Sequence, residues 1–470
     1  MELSRRKFLK KTAAAAGTLL AAPSLSSFGS PSETKPNFII IFTDDQGYQD
    51  LGCYGSLLIK TPNLDRMAEE GIRFTDFYSS NSVCSPSRAS LLTGCYPTRV
   101  SIPDVLFPGG EMGLIGLHPD EITIADLLKT RGYATCCIGK WHLGHKPDFL
   151  PTRQGFDMYY GIPYSNDMEI DPTMELAPDI KLNNGMTVER IRTEEPKGHW
   201  VPLMRDEKVI EYPCDQSTLT KRYTEEAVEF IKENKNKPFF LYLPHTMPHV
   251  PLFASEKFRG KSKRGLYGDV IEEIDWSVGE ILKTLKKLDL EDNTLVIFTS
   301  DNGPWLQFKE DGGCSLPLRD GKFTTYEGGM RMPCIMRWPG KIPAGRVCSE
   351  VAATIDFLPT IAHLADVPVP DDRIIDGKNI WPLMTAEPGA NSPHEAYFYY
   401  HENDLQAVRS GEWKLRKTDT VELYNLREDI SEKNNLADKH PDIVKRLSER
   451  MERFDRELKA NARPPGKINA

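Results

Sequence analysis

The chain has 470 residues, 39% of them hydrophobic and 27% charged, and its 68 acidic and 59 basic side chains leave a net charge of -9. That length exceeds one ordinary core, so a large domain with a smaller companion is expected. The negative balance argues against a nucleic-acid binder, which needs a basic face, but admits a small anionic substrate because local cations set the sign of a pocket.

Residues 1–30 read as an export signal. Ser4-Arg5-Arg6-Lys7 gives a basic start, residues 12–22 are mildly apolar, and Pro and Ser follow, a stretch too short for a permanent membrane span. The adjacent arginines fit a twin-arginine signal, with a general secretory signal as the alternative. Either places the protein in the periplasm or outside the cell, with no permanent membrane anchor. The nine cysteines are odd in number; without Cys84, Cys53, Cys95, Cys136, Cys137, Cys214, Cys314, Cys334 and Cys348 remain, and their pairing is open. Cys136 and Cys137, inside an apolar stretch, read as buried thiols.

Asn37-Phe38-Ile39-Ile40-Ile41-Phe42 has the length and apolarity of a fully buried strand, and it ends in Thr43-Asp44-Asp45. A helix should start at Thr61 as cap with Pro62 in its first turn, and Gly71-Ile72-Arg73-Phe74 returns toward a strand. In Cys84-Ser85-Pro86-Ser87-Arg88, Pro86 fixes a turn and residues 87–92 are helix-like, which puts Cys84 near a helix N-terminus where an anion is favoured. In Gly139-Lys140-Trp141-His142 a strand would aim Lys140 and His142 to one face. Residues 168–215 lack periodicity and read as a long insertion shaping a pocket. A helix within 217–232 and a strand over 238–243 lead to His245 and His249. Ile271, Ile274, Val278, Ile281 and Leu285 mark an amphipathic helix before the strand 294–299, which ends in Ser300-Asp301-Asn302. Beyond about residue 370, short strand-like runs at 397–400, 406–409 and 412–415 and a helix over 441–458 indicate a small antiparallel sheet with one helix.

Strand ends thus repeatedly deliver polar residues, as in α/β sheets that gather a site at their carboxyl edge. Asp44, Asp45, Asp301 and Asn302 form an all-oxygen donor set suited to Ca2+ or Mg2+, although each pair alone is also common turn chemistry. Lys140 and Lys322 could neutralise an anion, and His142 or His249 could move protons.

Cys84-Ser85-Pro86-Ser87-Arg88 followed by Ala89-Ser90-Leu91-Leu92-Thr93-Gly94 resembles the signature of the type I, formylglycine-dependent sulfatases of the alkaline phosphatase superfamily. Gly139-Lys140-Trp141-His142-Leu143-Gly144 matches a second signature, and Lys322 with Thr324-Thr325-Tyr326-Glu327-Gly328-Gly329 a third. The motifs run in family order over roughly residues 36–437, with the likeness strongest to the arylsulfatase A and galactosamine-6-sulfatase branch. The resemblance implies an alkaline phosphatase-like α/β fold: a catalytic domain over 36–370 with a central mixed, mostly parallel sheet flanked by helices, and a smaller subdomain over 371–470. It also implies that Cys84 becomes Cα-formylglycine through a maturation enzyme. Asp44, Asp45, residue 84, Asp301 and Asn302 would then hold calcium, or magnesium, and Arg88 would hold residue 84 and the carboxylates. Lys140, His249 and Lys322 would bind sulfate, with His249 or Lys322 protonating the leaving alcohol and His142 as base; His245 is left as structural. Ser165 aligns with a substrate contact, but Asn166 stands where arylsulfatase A has histidine. His401, with Asn403 and Asp404, is expected at an outer sugar subsite.

The implied activity is sulfate removal from a sulfated carbohydrate or small sulfate ester. The alternatives are a phosphonate or phosphodiester hydrolase of the same superfamily, or an inactive homologue that binds sulfated glycans.

Overall fold

The computed structural model describes residues 35–194 and 200–468, so the export-signal reading of residues 1–30 falls outside the described residues. Its centre is Asn37–Thr43, buried at every position. Such a strand buries apolar side chains on both faces, each contributing on the order of 1.5–3 kcal/mol, and so requires a neighbour on each edge and a helical layer above and below. Thr294–Ser300 and Phe239–Pro244 lie parallel on its two sides, with Thr43 opposite Ser300 and Phe42 opposite Pro244. Ala134–Ile138 extends the parallel set beyond Phe239–Pro244. Asp44-Asp45, Asp301-Asn302, His245 and Lys140 therefore leave the sheet at one edge, as the strand-end pattern predicts.

Outward on one side, Arg331–Arg337 is antiparallel to Thr294–Ser300, and Ile72–Tyr78 antiparallel to Arg331–Arg337. Outward on the other lie Met158–Gly161, Leu203–Arg205, Lys208–Tyr212 and Leu176–Leu182, and Arg346–Cys348 and Ala352–Ala353 beside Ile72–Tyr78 complete a mixed sheet of 12 strands. Helices pack in two groups: Leu266–Lys287 against Pro62–Glu69 and Leu219–Glu233, and Cys84–Thr93 with Ile124–Lys129 and Phe357–Leu364. The apolar series Ile271, Ile274, Val278, Ile281 and Leu285 is buried as its spacing requires.

Two expectations need correction. Residues 168–215 are not a loose insertion: three of the sheet's strands and the helix Val188–Thr193 lie there. Their mixed burial, as in Leu176–Leu182, erases the period-two signal. Thr61 does precede the helix Pro62–Glu69, but its hydroxyl accepts from the Gly52 N–H and donates to Asp65 instead of capping the helix N–H groups.

The second sheet is antiparallel throughout: Tyr397–His401, Asp404–Ser410, Trp413–Lys417 and Val421–Asn425, with the helix Pro441–Ala460 against it. It joins the large sheet through buried charge. Lys414 Nζ lies 2.9 Å from Glu327 and 2.8 Å from Glu432, and Arg409 and Arg331 hold the two oxygens of Asp76 at 2.6 and 2.7 Å. The Tyr78 and Tyr399 hydroxyls donate to Glu327 at 2.6 and 2.9 Å. All nine cysteines are free thiols, so none of the disulfides that export would permit is formed; Cys136 and Cys137 are buried, as expected.

Candidate active site

Cys84 is the first residue of the helix Cys84–Thr93, which is buried on all sides and begins with no side-chain cap. Its leading N–H groups and dipole thus face the carboxyl edge of the sheet unneutralised, a favourable place for an anion. Burial pushes the Cys84 thiol up to about 11, against the opposing pull of Lys140 and Lys322. The encoded side chain is therefore a neutral thiol near pH 7, a poor nucleophile.

One turn along the same helix, Arg88 is wholly buried. It donates to Asp301 Oδ2 from Nε at 3.1 Å and from Nη2 at 2.8 Å, to Asp44 Oδ2 at 2.8 Å, and to the Lys140 carbonyl at 2.7 Å. This planar fork ties two strand ends to the helix carrying Cys84. Lys140 Nζ lies 2.5 Å from Asp44 Oδ2 and donates to Ser165 Oγ at 3.0 Å. Lys322 Nζ donates to Asp45 Oδ2 at 2.8 Å. Asn302 Nδ2 donates to Asp45 Oδ1 at 2.7 Å, and His249 Nε2 stands 3.6 Å from Asp45 Oδ2. Three carboxylates, three cations and the buried cysteine thus share one water-poor volume.

Their ionisation reflects this crowding. Burial opposes the charge on Asp44, but Lys140 and Arg88 outweigh it and hold the carboxyl well below the usual range. Burial lifts Asp301 to about 7, reinforced by the charge of Asp44. Asp45 is also raised by burial, despite Lys322 beside it.

The donor chemistry fits a hard divalent cation. Asp44 Oδ1 and Asn302 Oδ1 are buried with no hydrogen-bond partner. An unpaired buried oxygen costs about 1–3 kcal/mol unless something coordinates it, and oxygen donors are what Ca2+ and Mg2+ take. Asp44, Asp45 and His249 each offer an atom within 4.8 Å of the others, so the imidazole borders the same space. Asp301 Oδ2 accepts from Arg88 and Oδ1 accepts the Asp45 N–H at 3.2 Å, which leaves each oxygen a lone pair for a cation.

The two histidines present opposite nitrogens. His142 Nε2 is 2.9 Å from the Leu106 carbonyl, which can only accept, so Nε2 carries the hydrogen and the buried, unpartnered Nδ1 offers a lone pair. His249 Nδ1 faces two acceptors, the Val250 carbonyl at 2.5 Å and Asn166 Oδ1 at 3.0 Å, so its lone pair is on Nε2 toward the site. The Asn166 amide is oriented by its Nδ2, which donates to Gln216 Oε1 at 3.1 Å and the Pro251 carbonyl at 3.0 Å. Burial keeps both imidazoles far below the ordinary histidine value, with Lys140 adding to it at His142 and Lys322 at His249.

The strand expected through Lys140 and His142 is absent. Ala134–Ile138 ends first, and His142 has φ 61° in a loop, so the two side chains are brought in by different backbone turns. His245, expected to be structural, is buried with Nε2 3.5 Å from Ser277 Oγ, and burial lowers it to about 3. His401 ends a strand of the second sheet, half-buried, and no hydrogen bond, ion pair or ring contact joins it to the cluster. Sequence reasoning missed Trp305, whose ring lies 4.4 Å from Lys322 Nζ and 5.8 Å from the His249 ring. Its position three residues after Asn302 is the only signal it gave.

Among the described residues, no helix is long and apolar enough to cross a membrane. Residues 36–367 match the family model described as Sulfatase, and residues 319–457 match N-sulphoglucosamine sulphohydrolase, C-terminal. The chain is 40% identical over 406 residues to N-acetylgalactosamine-6-sulfatase of Canis lupus familiaris, covering 84% of this chain and 74% of that one. It is 41% identical over 389 residues to arylsulfatase A of Homo sapiens, covering 81% and 74%. Among solved structures, Ps i-CgsB superposes with a TM-score of 0.80 at 32% identity, covering 93% of this chain and 95% of that chain. With its signatures gathered at one sheet edge and these relatives spanning most of its length, the chain belongs to the sulfatase family.

Proposed function

We propose that this chain removes sulfate from a sulfated saccharide outside the cytoplasm, with formylglycine made from Cys84 by a maturation enzyme and with calcium, or magnesium, at Asp44, Asp45, residue 84, Asp301 and Asn302. The observation that carries this reading is the set of unpaired buried oxygens beside a cysteine at an uncapped helix start, within a cluster of three carboxylates and three cations. Such a cluster can accept a divalent cation with the monoanionic sulfate ester at a net change of one charge, and with the released sulfate dianion at none. The saccharide assignment is supported by relatives named N-acetylgalactosamine-6-sulfatase and by Ps i-CgsB, which was also solved in complex with k-i-k-neocarrahexaose. The working division is a catalytic domain over 36–370 and a smaller subdomain over 371–470.

When bound, the cation would act as a Lewis acid on the sulfuryl oxygens, and the hydrated aldehyde would supply the attacking hydroxyl. The chain's own groups do the rest. Lys140, paired with Asp44, and Lys322, paired with Asp45, bind the remaining sulfuryl oxygens, a preorganised electrostatic clamp. Arg88 fixes Asp44 and Asp301 relative to residue 84. Neutral His249 offers only a lone pair at Nε2, which leaves Lys322 Nζ to protonate the departing alcohol. Nδ1 of His142 takes the proton from the second hydroxyl at residue 84, allowing sulfate to leave. Ser165, between Lys140 and His249, orients both; His401 remains a proposed outer sugar contact.

The test joins mass spectrometry of the peptide containing residue 84 with sulfate release from defined sulfated saccharides. The expected result is turnover proportional to the aldehyde fraction. Full activity with an unmodified thiol would overturn the reading.

A further inference from the structure

After the helix Pro441–Ala460 the chain leaves the second sheet and crosses back toward the loop that carries His142. Arg463 fixes the start of this crossing. Its N–H donates to the Arg99 carbonyl at 2.7 Å, its carbonyl accepts from the Ser101 hydroxyl at 2.6 Å, and its guanidinium holds buried Glu121 at 2.6 and 2.9 Å. Pro464 and Pro465 have no N–H to leave unpaired and favour extended backbone. Gly466–Lys467 then pairs antiparallel with Ile115–Gly116, and the Ile468 N–H donates to the Leu114 carbonyl at 3.1 Å.

The segment it pairs with is the one that grips His142. At one end the Leu106 carbonyl takes the Nε2 hydrogen at 2.9 Å, and the Leu106 N–H donates to Ser85 Oγ at 3.1 Å, next to Cys84. At the other, the Leu117 N–H donates to the Leu143 carbonyl at 2.9 Å. Residues 107–112 between these grips are largely exposed. Three glycines let the layers meet around buried Phe149. A Cβ on Gly466 would stand 2.5 Å from the Phe149 ring and 3.0 Å from the Gly116 carbonyl oxygen, and one on Gly144 would stand 2.8 Å from Gly116 Cα. Gly466 thus bears on Gly116, and Gly116 on Gly144, two residues beyond His142. His142 itself is held at φ 61°, a conformation that persists where surrounding contacts over-determine it.

We propose that residues 463–468 are a positioning strap for His142, acting through Gly466. This rests on the function proposed above, in which His142 serves residue 84. The strap gives the segment 106–117 a backbone partner at 114–116 and so fixes both of its grips on the His142 loop. Close-packed layers pass a displacement on instead of absorbing it, and a group displaced by about 1 Å from its working geometry costs up to about 100-fold in rate. The same segment, through Phe107, Pro108 and Leu114, is one wall of a cavity of about 680 Å³ that Lys146 and Asp171 also line. Positioning and pocket shape are separated by whether kcat or KM changes.

The test compares Gly466→Val and Ile468→Pro with the wild-type enzyme, all carrying the aldehyde, on two esters. These are a nitrophenyl sulfate and the best-hydrolysed of a set of monosulfated galactose and N-acetylgalactosamine esters. Gly466→Val puts carbon where Phe149 and Gly116 stand. Ile468→Pro removes a single hydrogen bond, so it carries the test if the first variant folds poorly. The expected result is a roughly tenfold or greater fall in kcat on both esters with KM within about twofold, and faster hydrogen exchange at residues 114–117. In a His142→Ala background either substitution should lower kcat by less than about twofold more, because what it disturbs is already gone. A fall as large in that background as in wild type would overturn the proposal, since the strap would then act elsewhere than through His142. A loss carried by KM and confined to the saccharide would overturn it in favour of a pocket wall. Unchanged kcat in both variants would overturn it too, whether or not exchange quickens. His142→Ala with wild-type kcat would unseat His142 from the function above and the strap with it. A wild-type enzyme that carries the aldehyde and hydrolyses neither ester would sink the reaction itself.

Discussion

Two buried charge clusters in this molecule each set three carboxylates against three cations, in opposite states of completion. At the carboxyl edge of the large sheet, Asp44, Asp45 and Asp301 face Arg88, Lys140 and Lys322. Between the two sheets, Asp76, Glu327 and Glu432 face Arg331, Arg409 and Lys414. In the second cluster tyrosine hydroxyls and a backbone N–H complete the carboxylates; its one oxygen without a hydrogen bond, Glu432 Oε1, is in an ion pair with Lys414. In the first, Asp44 Oδ1, Asn302 Oδ1 and His142 Nδ1 are left over. Burial of charge alone therefore does not mark a site; what marks it is polar capacity left unspent in a place that could have been saturated.

The sharpest way to break this contrast is to remove the chemistry from the incomplete cluster. Cys84→Ala should lower sulfate release by at least about 10⁴-fold, since nothing else in the site can form the covalent bond. It should change the unfolding free energy measured in urea by no more than about 1 kcal/mol, because only one sulfur atom is lost. Lys414→Met attacks the complete cluster and should do the reverse. It takes the ion-pair partner from buried Glu432 and one of two from Glu327, which keeps Arg331, a loss of about 3–5 kcal/mol by urea unfolding, while kcat/KM of the folded fraction stays within about twofold. A folded, stable Lys414→Met protein with crippled turnover would dissolve the distinction.

The two clusters were not equally legible. Asp44-Asp45 and Asp301-Asn302 could be placed together because each closes an unbroken apolar run, and such runs lie side by side in a parallel sheet. Cys84 and Arg88 share a short helix, so four residues of sequence fixed their relation. The inter-sheet cluster gave no such signal: Asp76, Glu327, Arg409 and Glu432 meet across hundreds of residues, and none sits in a motif that demands a partner. Glu327 was read only as part of a signature, although its side chain is what joins the sheets. The spacing of Lys140 and His142 suggests a strand, but Ala134–Ile138 ends before them and a left-handed residue at His142 replaces it. Trp305 escaped because an aromatic in a loop has no periodicity to betray it.

Divalent cation should separate the clusters next. Calcium added at about 100 times its dissociation constant to protein stripped by chelator should stabilise the fold by about 2.7 kcal/mol. Asn302→Ala should abolish that increment, while chelator-treated protein loses about 1–3 kcal/mol because the Nδ2 hydrogen bonds to Asp45 and the Gly303 carbonyl go with the amide. An undiminished calcium shift in Asn302→Ala, read by thermal unfolding, would remove Asn302 from the donor set.

The smallest expected effect is the acid response of the complete cluster. Glu327 is buried, which opposes its charge, but Lys414 and Arg331 overcome this and hold it at about 2. A carboxyl depressed in the folded state contributes stability that is whole above its ordinary value of about 4.5 and is lost as pH falls toward 2. The slope from this group is at most about 1.4 kcal/mol per pH unit. Glu432 is shifted the other way by burial, Lys414 notwithstanding, so its protonation on the way down offsets part of the loss. The unfolding free energy measured in urea between pH 5 and 3 should therefore fall by about 1 kcal/mol per unit or less from this pair. Lys414→Met, with no ammonium left to depress Glu327, should flatten that part of the slope. A slope in Lys414→Met as steep as in wild type would mean that the lysine does not hold Glu327 ionised, and that the second cluster is less complete than its distances imply.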